Sequence, residues 1–358
     1  MHLLAELAQA GASPGFEQET RDIIIREIQE HVDEVRISRL GSVVATKRAE
    51  VDNSAERPLK LLITGGMSQV GFVVKQVEAS GLVHLYPLGE WHPQLYIGRH
   101  VLVKTSNNAL QGVIRPSPRH IHEVIVDLGL PEIEVLKVVE IGNLVGLKPD
   151  FSEDHQLISG QTLEHIAGIY TMIEVIKNVQ REDLKCHFSV AFTNQEHLRT
   201  RWHMQEHFMI SPDLTLSLEC LTVEKSHYLG GGPIIGSSSR SSLAHPLVVN
   251  VIKQVASKHN IPHQISHIPD LELQLMQKNL QEQGCYAGSV SIPVEPKEPM
   301  GLRAFKIDIH NTCKLLQHFS SHHDFGDFEK VGIGVEVEEV KESVPSGQDT
   351  LEENSILT

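Results

Sequence analysis

Twenty-two histidines stand in this 358-residue chain, and histidine is both the commonest metal ligand and the side chain that moves protons near neutral pH. Their spacing alone says little, because His120-Ile121-His122 and His322-His323 are too short and isolated to form metal clusters. Two other histidines follow acids, in Glu164-His165 and Glu196-His197, and Glu219 and Glu298 lie farther along. Carboxylate and imidazole together can hold a divalent cation or divide the work of general acid and base. Read one at a time, each has an ordinary explanation. Glu164 fits the first turn of a helix, where the macrodipole favours an anion. His165 and His197 fit exposed or hydrogen-bonded rings, and Glu196, Glu219 and Glu298 fit solvated acids. Cys186, Cys220, Cys285 and Cys313 form no C-x-x-C pair, so they read as reduced thiols of a cytoplasmic protein.

The elements that would position these groups follow from apolar periodicity. Ser13-Pro14 reads as an N-cap and first turn, with Phe16, Ile24, Ile28, Val32 and Val35 at helical spacing behind it. β-rich runs at 35–46 and 59–64 follow, the second running into Gly65-Gly66, where a strand hands over to a loop of the kind that carries chemistry in α/β proteins. From Val70 to about Phe151 the pattern changes to short strands, among them 72–74, 82–86, 101–104 and 124–127, with no convincing helix between them. Beyond Gly160 the alternation returns. Helices are expected at 164–179, 245–258, 271–283 and 303–319, and strands at 187–193, 214–219 and 286–293. The expectation is one α/β domain from residues 1–66 and 152–330, interrupted by a β domain at 67–151 and followed by an acidic, disordered tail at 336–358.

Charge narrows the function classes. The 31 Lys and Arg against 46 Asp and Glu leave −15, which repels nucleic acid and anionic lipid. No run reaches the roughly 18 apolar residues of a membrane span, and Glu6 interrupts any apolar signal core at the start. Neither nucleic acid nor membrane is expected as a partner.

Particular motifs carry a resemblance. They are Gly11-Ala12-Ser13-Pro14-Gly15-Phe16-Glu17, residues 35–41 and 67–72, Pro87-Leu88-Gly89 with Trp91 and Gly98, then 163–168, 193–201, Pro212-Asp213-Leu214, 230–235 and Ser291-Ile292-Pro293. In order and spacing they resemble the cytosolic di-metal aminopeptidases of the glutamyl aminopeptidase and TET type over roughly residues 3–320. The resemblance implies an α/β/α zinc-peptidase-like domain with an inserted all-β, barrel-like dimerisation domain. It also implies peptide substrates and a homo-oligomer, at least a dimer and up to the family's dodecamer. Family members place two metal ions about 3.5 to 4 Å apart to polarise the scissile carbonyl and activate water, with a glutamate as base.

Matched residue by residue, the resemblance implies an altered centre. Gly66 falls where the first histidine ligand belongs and has no side chain to offer, and Ser68 replaces the aspartate that orients that histidine. Glu164 matches the bridging aspartate but is one methylene longer, and His165 follows it. Glu196 matches the general base, while His197 replaces a metal-binding glutamate. Arg199-Thr200-Arg201-Trp202 replaces a stretch carrying two glycines. Glu219 matches an acidic ligand at a strand end, and Glu298 stands where the last histidine ligand belongs. On this reading at most one zinc or other divalent ion binds, weakly, and His165 and Arg199 act as counter-charges to the converging acids. The changes favour a catalytically silent, structural or regulatory homologue. Two alternatives stay open: a single-metal hydrolase using Glu164, His197 and Glu298 with Glu196 as base, and a metal-scavenging or small-ligand module.

Overall fold

The structure is a computed structural model that describes residues 2–10, 17–50, 59–88, 96–105, 108–117, 123–194, 209–223, 227–238, 244–267, 285–296 and 301–321. The chain opens with two helices, α1 (His2–Ala10) and α2 (Gln18–Ile28), whose Leu4, Leu7, Ile24 and Ile28 are buried. The expected first helix is thus shorter than its apolar spacing implied: Val32 lies beyond a single 3₁₀ turn and Val35 belongs to strand β1 (Glu34–Ile37). Ser13, Pro14 and Phe16 lie outside the described residues, as do the helix expected at 271–283 and the tail at 336–358.

β1 pairs antiparallel with β2 (Val43–Lys47), and β3 (Lys60–Gly66) then runs into the sheet interior. After β3 the chain builds a closed six-stranded antiparallel barrel from β4 (Gly71–Val77), β5 (Val83–Leu88), β6 (His100–Lys104), β7 (Ala109–Pro116), β8 (Val124–Asp127) and β9 (Leu144–Leu147), in the order β4-β5-β8-β7-β6-β9. Closure removes the open edges on which other chains could pair. Phe72, Val74, Val101, Val103, Val124 and Val126 fill it at alternating positions. One expectation fails here, because a helix, α3 (Glu132–Val138), does intervene. Only Val135 of it is buried, so its seven residues carry no amphipathic signal.

The chain re-enters through β10 (Phe151–Glu153) and β11 (Leu157–Gly160), then forms α4 (Leu163–Asn178), β12 (His187–Thr193), β13 (Leu214–Thr222), β14 (Ile234–Ser238), α5 (Pro246–Lys258), β15 (Gln264–His267), β16 (Tyr286–Pro296), β17 (Leu302–Phe305) and α6 (Lys306–Ser321). The helix expected from Arg303 therefore starts three residues later. Residues 302–305 are drawn into a strand by pairing with β11 and β16, a long-range contact that local periodicity does not report. The sheet runs β1-β2-β12-β3-β13-β16-β17-β11-β10, with β14 and β15 branching from β16. Its centre, β12-β3-β13-β16, is parallel.

These central strands are buried on both faces, β13 even where it alternates Leu with Thr and Ser. Ile63, Val190, Leu216 and Ile292 pack with the helices, while Leu62, Ala191 and Val44 form a separate small cluster on the opposite face with Ile210. α4 lies closest: a β-carbon on Gly65 would come 2.9 Å from the Leu218 carbonyl oxygen and 2.9 Å from Met172 Cε. At its C-terminus the buried Lys47 donates from Nζ to the carbonyls of Ile176 and Val179, each at 2.7 Å. A cation thus meets the negative end of the helix and satisfies two orphan acceptors.

α6 is tied down by Asp308, which is fully buried and accepts N–H bonds from Gly230 (2.7 Å) and Gly232 (2.8 Å). Gly232 is required as such. It sits at φ +80°, and a β-carbon there would lie 1.9 Å from the Pro262 carbonyl oxygen. Burial raises the Asp308 carboxyl pKa against the two N–H bonds that lower it. The folded chain therefore holds this proton more tightly than the unfolded chain, and the group's contribution to stability declines as pH rises through its folded pKa. Asp308→Ala is expected to strand two buried donors and cost about 2 kcal/mol. Urea midpoints would show it, with the deficit narrowing as pH rises through that titration.

Candidate functional site

The parallel strands β12, β3 and β13 end together, and open α/β sheets bind ligands outside such carboxyl ends. Thr193 of β12 is in register with Gly66 of β3. Ser217 of β13 is in register with Thr64, so the same register carried two residues on sets Glu219 level with Gly66. α4 begins at this end of the sheet and brings Glu164 in its first turn.

Glu164 is 2.8 Å from His165 Nε2, and its backbone carbonyl accepts the Cys220 thiol at 3.2 Å. Burial pushes the Cys220 thiol well above its usual pKa, and the carboxylates of Glu164 and Glu219 add to the shift. Both acids therefore act on one sulfur, which stays protonated and is no nucleophile at neutral pH. Tyr96, from the segment before β6, also senses Glu164: its hydroxyl pKa is raised by burial first and by that carboxylate second. Its ring lies edge-on to Phe72 at 6.1 Å, with the Arg99 guanidinium 5.3 Å from its centroid. The barrel thus contributes an aromatic group beside the start of α4.

The turn after β3 is fixed from both sides. The Met67 N–H donates to the Thr193 carbonyl at 2.7 Å, and Thr193 Oγ1 donates to the Gly65 carbonyl at 3.2 Å. Ser68, fully buried, donates to Oε1 of the buried Glu17 at 2.9 Å. A hydroxyl here gives a buried carboxylate the donor it needs, which an aspartate could not do.

Gly66, Glu164, His165 and Glu219 are thus gathered at one end of the sheet. Glu196, His197, Arg199 and Glu298 lie outside the described residues, Glu196 three positions past Thr193 and Glu298 two past Pro296. Among the described residues no three His, Cys, Asp or Glu side chains group as ligands for a metal. Gly66 supplies no side-chain donor, and Glu164 Oε1 lies within hydrogen-bond distance of His165 Nε2. Three participants were not singled out from sequence: Cys220, Tyr96 and Glu17. Cys220 follows Glu219 directly and Glu17 closes a quoted motif, but nothing local links Tyr96 to α4.

Residues 41–297 match the M42 glutamyl aminopeptidase family. The chain is 26% identical to a candidate aminopeptidase of Acetivibrio thermocellus over 317 residues, covering 84% of this chain and 92% of that protein. An aminopeptidase structure from the archaeon Desulfurococcus kamchatkensis superposes with a TM-score of 0.84 at 22% identity, over 94% of this chain and 98% of its own. The TET1 peptidase of Pyrococcus horikoshii, which can assemble into a tetrahedron or a large octahedral shell, superposes at 0.78 with 20% identity, over 89% and 98% of the two chains.

The Ser68–Glu17 contact gives a direct expectation. Ser68→Asp would set a second carboxylate against a buried one in place of a hydroxyl donor, so the variant should unfold several degrees below wild type at pH 7. Paired thermal melts at pH 7 measure it.

Proposed function

This chain belongs to the M42 glutamyl aminopeptidase family, and we propose that it keeps that scaffold with an altered metal centre and weak or no peptidase activity, serving as a structural or regulatory homologue. Gly66 carries the reading. It stands at the strand end where the family resemblance calls for a histidine ligand, and it has no side chain to offer one. Ser68 supports it, since the residue expected to orient that histidine is instead bonded to Glu17.

The family's aminopeptidases are metal-dependent, and a metal ion there supplies Lewis-acid polarisation of the scissile carbonyl and an activated water. In this chain Glu164, Glu219, Glu196 and Glu298 are the acids proposed to converge, with His165, His197 and Arg199 offsetting them. The 2.8 Å Glu164–His165 contact supports the part of this assigned to His165. A second reading has one divalent ion held by Glu164, His197 and Glu298 with Glu196 as base, and the place of Glu164 in the first turn of α4, at the carboxyl end of the sheet, is compatible with it.

We assign the peptidase-like domain to residues 1–66 and 152–330 and the insert to 67–151, in a cytoplasmic protein whose four cysteines are unpaired. The insert is also the proposed self-association surface. Ile133, Leu136 and Ile141, on α3 and the turn after it, are 71%, 55% and 75% exposed. Apolar side chains grouped this way on a surface mark contact sites.

Two measurements test these proposals. Protein purified without chelators should hold fewer than two metal ions per chain and release no, or few, N-terminal residues from a peptide panel with added zinc, cobalt or manganese. Two bound ions with rapid turnover would overturn the reading. Light scattering should report a dimer or larger, and Ile133→Glu with Leu136→Glu should shift it towards monomer, whereas a monomeric wild type refutes self-association.

A further inference from the structure

At the opposite end of the same strands, on the sheet face away from α4, lies a cavity of about 160 Å³ lined by Arg36, Arg48, Lys60 and His187. Lys60 and Gly66 bracket β3, so this cavity is about 20 Å from the carboxyl-end site. Three permanent cations meet one carboxylate here, Glu34, an excess of 3 − 1 = 2 positive charges on a chain whose net charge is −15.

Glu34 arranges the two arginines. One oxygen accepts Arg36 Nε and the other accepts an Arg48 terminal nitrogen at 2.8 Å. Each guanidinium has five N–H donors, so both are oriented while most of their donors remain available. Lys60 Nζ donates to the Ile210 carbonyl at 3.0 Å, a neutral partner that leaves its charge uncompensated. Two neighbouring carboxylates are engaged: Asp33 by Arg181 (2.5 Å) and the Arg48 N–H (2.7 Å), and Asp213 by the Lys60 N–H (2.9 Å).

His187 adds a fourth donor. Its Nδ1 accepts the Ala49 N–H at 3.2 Å, so the neutral ring carries its proton on Nε2. Burial, then the charges of Arg48 and Lys60, lower its pKa, which keeps it neutral and reports the positive field it sits in. The hydroxyls of Thr46 and Ser189, 2.9 Å apart, share one hydrogen bond and leave one O–H to donate.

We propose that this cavity is a binding site for a phosphate group, free or as a phosphomonoester, held by Arg36, Arg48, Lys60 and His187. A tetrahedral dianion matches both the charge excess and the convergence of donors from four directions, and guanidinium pairs bind such oxyanions bidentately. A planar monocarboxylate would satisfy half the charge.

The test is titration of the full-length protein with inorganic phosphate, followed by calorimetry and phosphorus NMR against sodium chloride at matched ionic strength. Phosphate should bind at one site per chain and acetate at least tenfold more weakly. Arg36→Gln with Arg48→Gln should weaken phosphate at least tenfold, and Lys60→Gln alone several-fold. Arg115→Gln, in an exposed barrel ion pair with Asp127, should leave binding unchanged. Glycerol phosphate binding more tightly than phosphate would identify a monoester site, and equal binding a site for the free ion. The proposal is overturned if phosphate acts no differently from chloride, or if the double arginine variant and Lys60→Gln both bind as wild type does. Peptidase activity does not enter this measurement, so its outcome is separate from that of the proposed function.

Discussion

Everything in the α/β layer depends on how closely α4 lies against β3 and β13. That approach is possible because Gly65 has no side chain: a β-carbon would meet the Leu218 carbonyl and the Met172 methyl at once. With the gap closed, Ile166, Ile169, Ile173 and Ile176 enter a core shared with β3, β12, β13, β16 and both other long helices. The axial position of α4 is set at its far end, where Lys47 reaches from β2 to the last carbonyls. The near end, and Glu164 with it, is thereby delivered to the mouth of the sheet.

The same architecture explains why the mouth is electrostatically crowded. Strand ends and a helix start converge there, so acids remote in sequence become neighbours, and the helix dipole favours only the one at its own N-terminus. Cys220 registers the result, its thiol held protonated by burial and by two carboxylates. Basic groups gather instead at the other end of β3 and β12, so the two ends of the sheet differ in sign of charge as well as in direction.

Much of this was readable from the chain, and the reasons for the rest are specific. The expected bounds of β12 match to the residue because Phe188, Val190, Ala191 and Phe192 concentrate between His187 and Thr193, and those of α4 match to within one residue because its apolar face is wide. α3 escaped notice because one buried residue in seven makes no pattern. Periodicity alone runs β17 into the helix after it, because the partners of Arg303 lie 8 and 144 positions away, at Glu295 and Ser159. At the site, Glu164 and Glu219 were located through the family resemblance and not through their own surroundings. The Ser68–Glu17 bond, 51 residues apart, and the influence of Glu164 on Tyr96 have no local signature at all.

The place of the barrel in the chain bears on how the protein reaches its fold. β3 and β12 are adjacent at the centre of the sheet, yet His187 pairs with Lys60 across 187 − 60 = 127 positions. Contacts of such separation form slowly because the loop must close before any pairing rewards it. The barrel's own pairings all fall within residues 71–147, and once they form, the intervening chain behaves as a compact body instead of a free coil. The remaining flexible stretch is then roughly a third as long, which lowers the entropy cost of joining β3 to β12 by about 1 kcal/mol. An insertion that lengthens the sequence between two central strands shortens the search that brings them together.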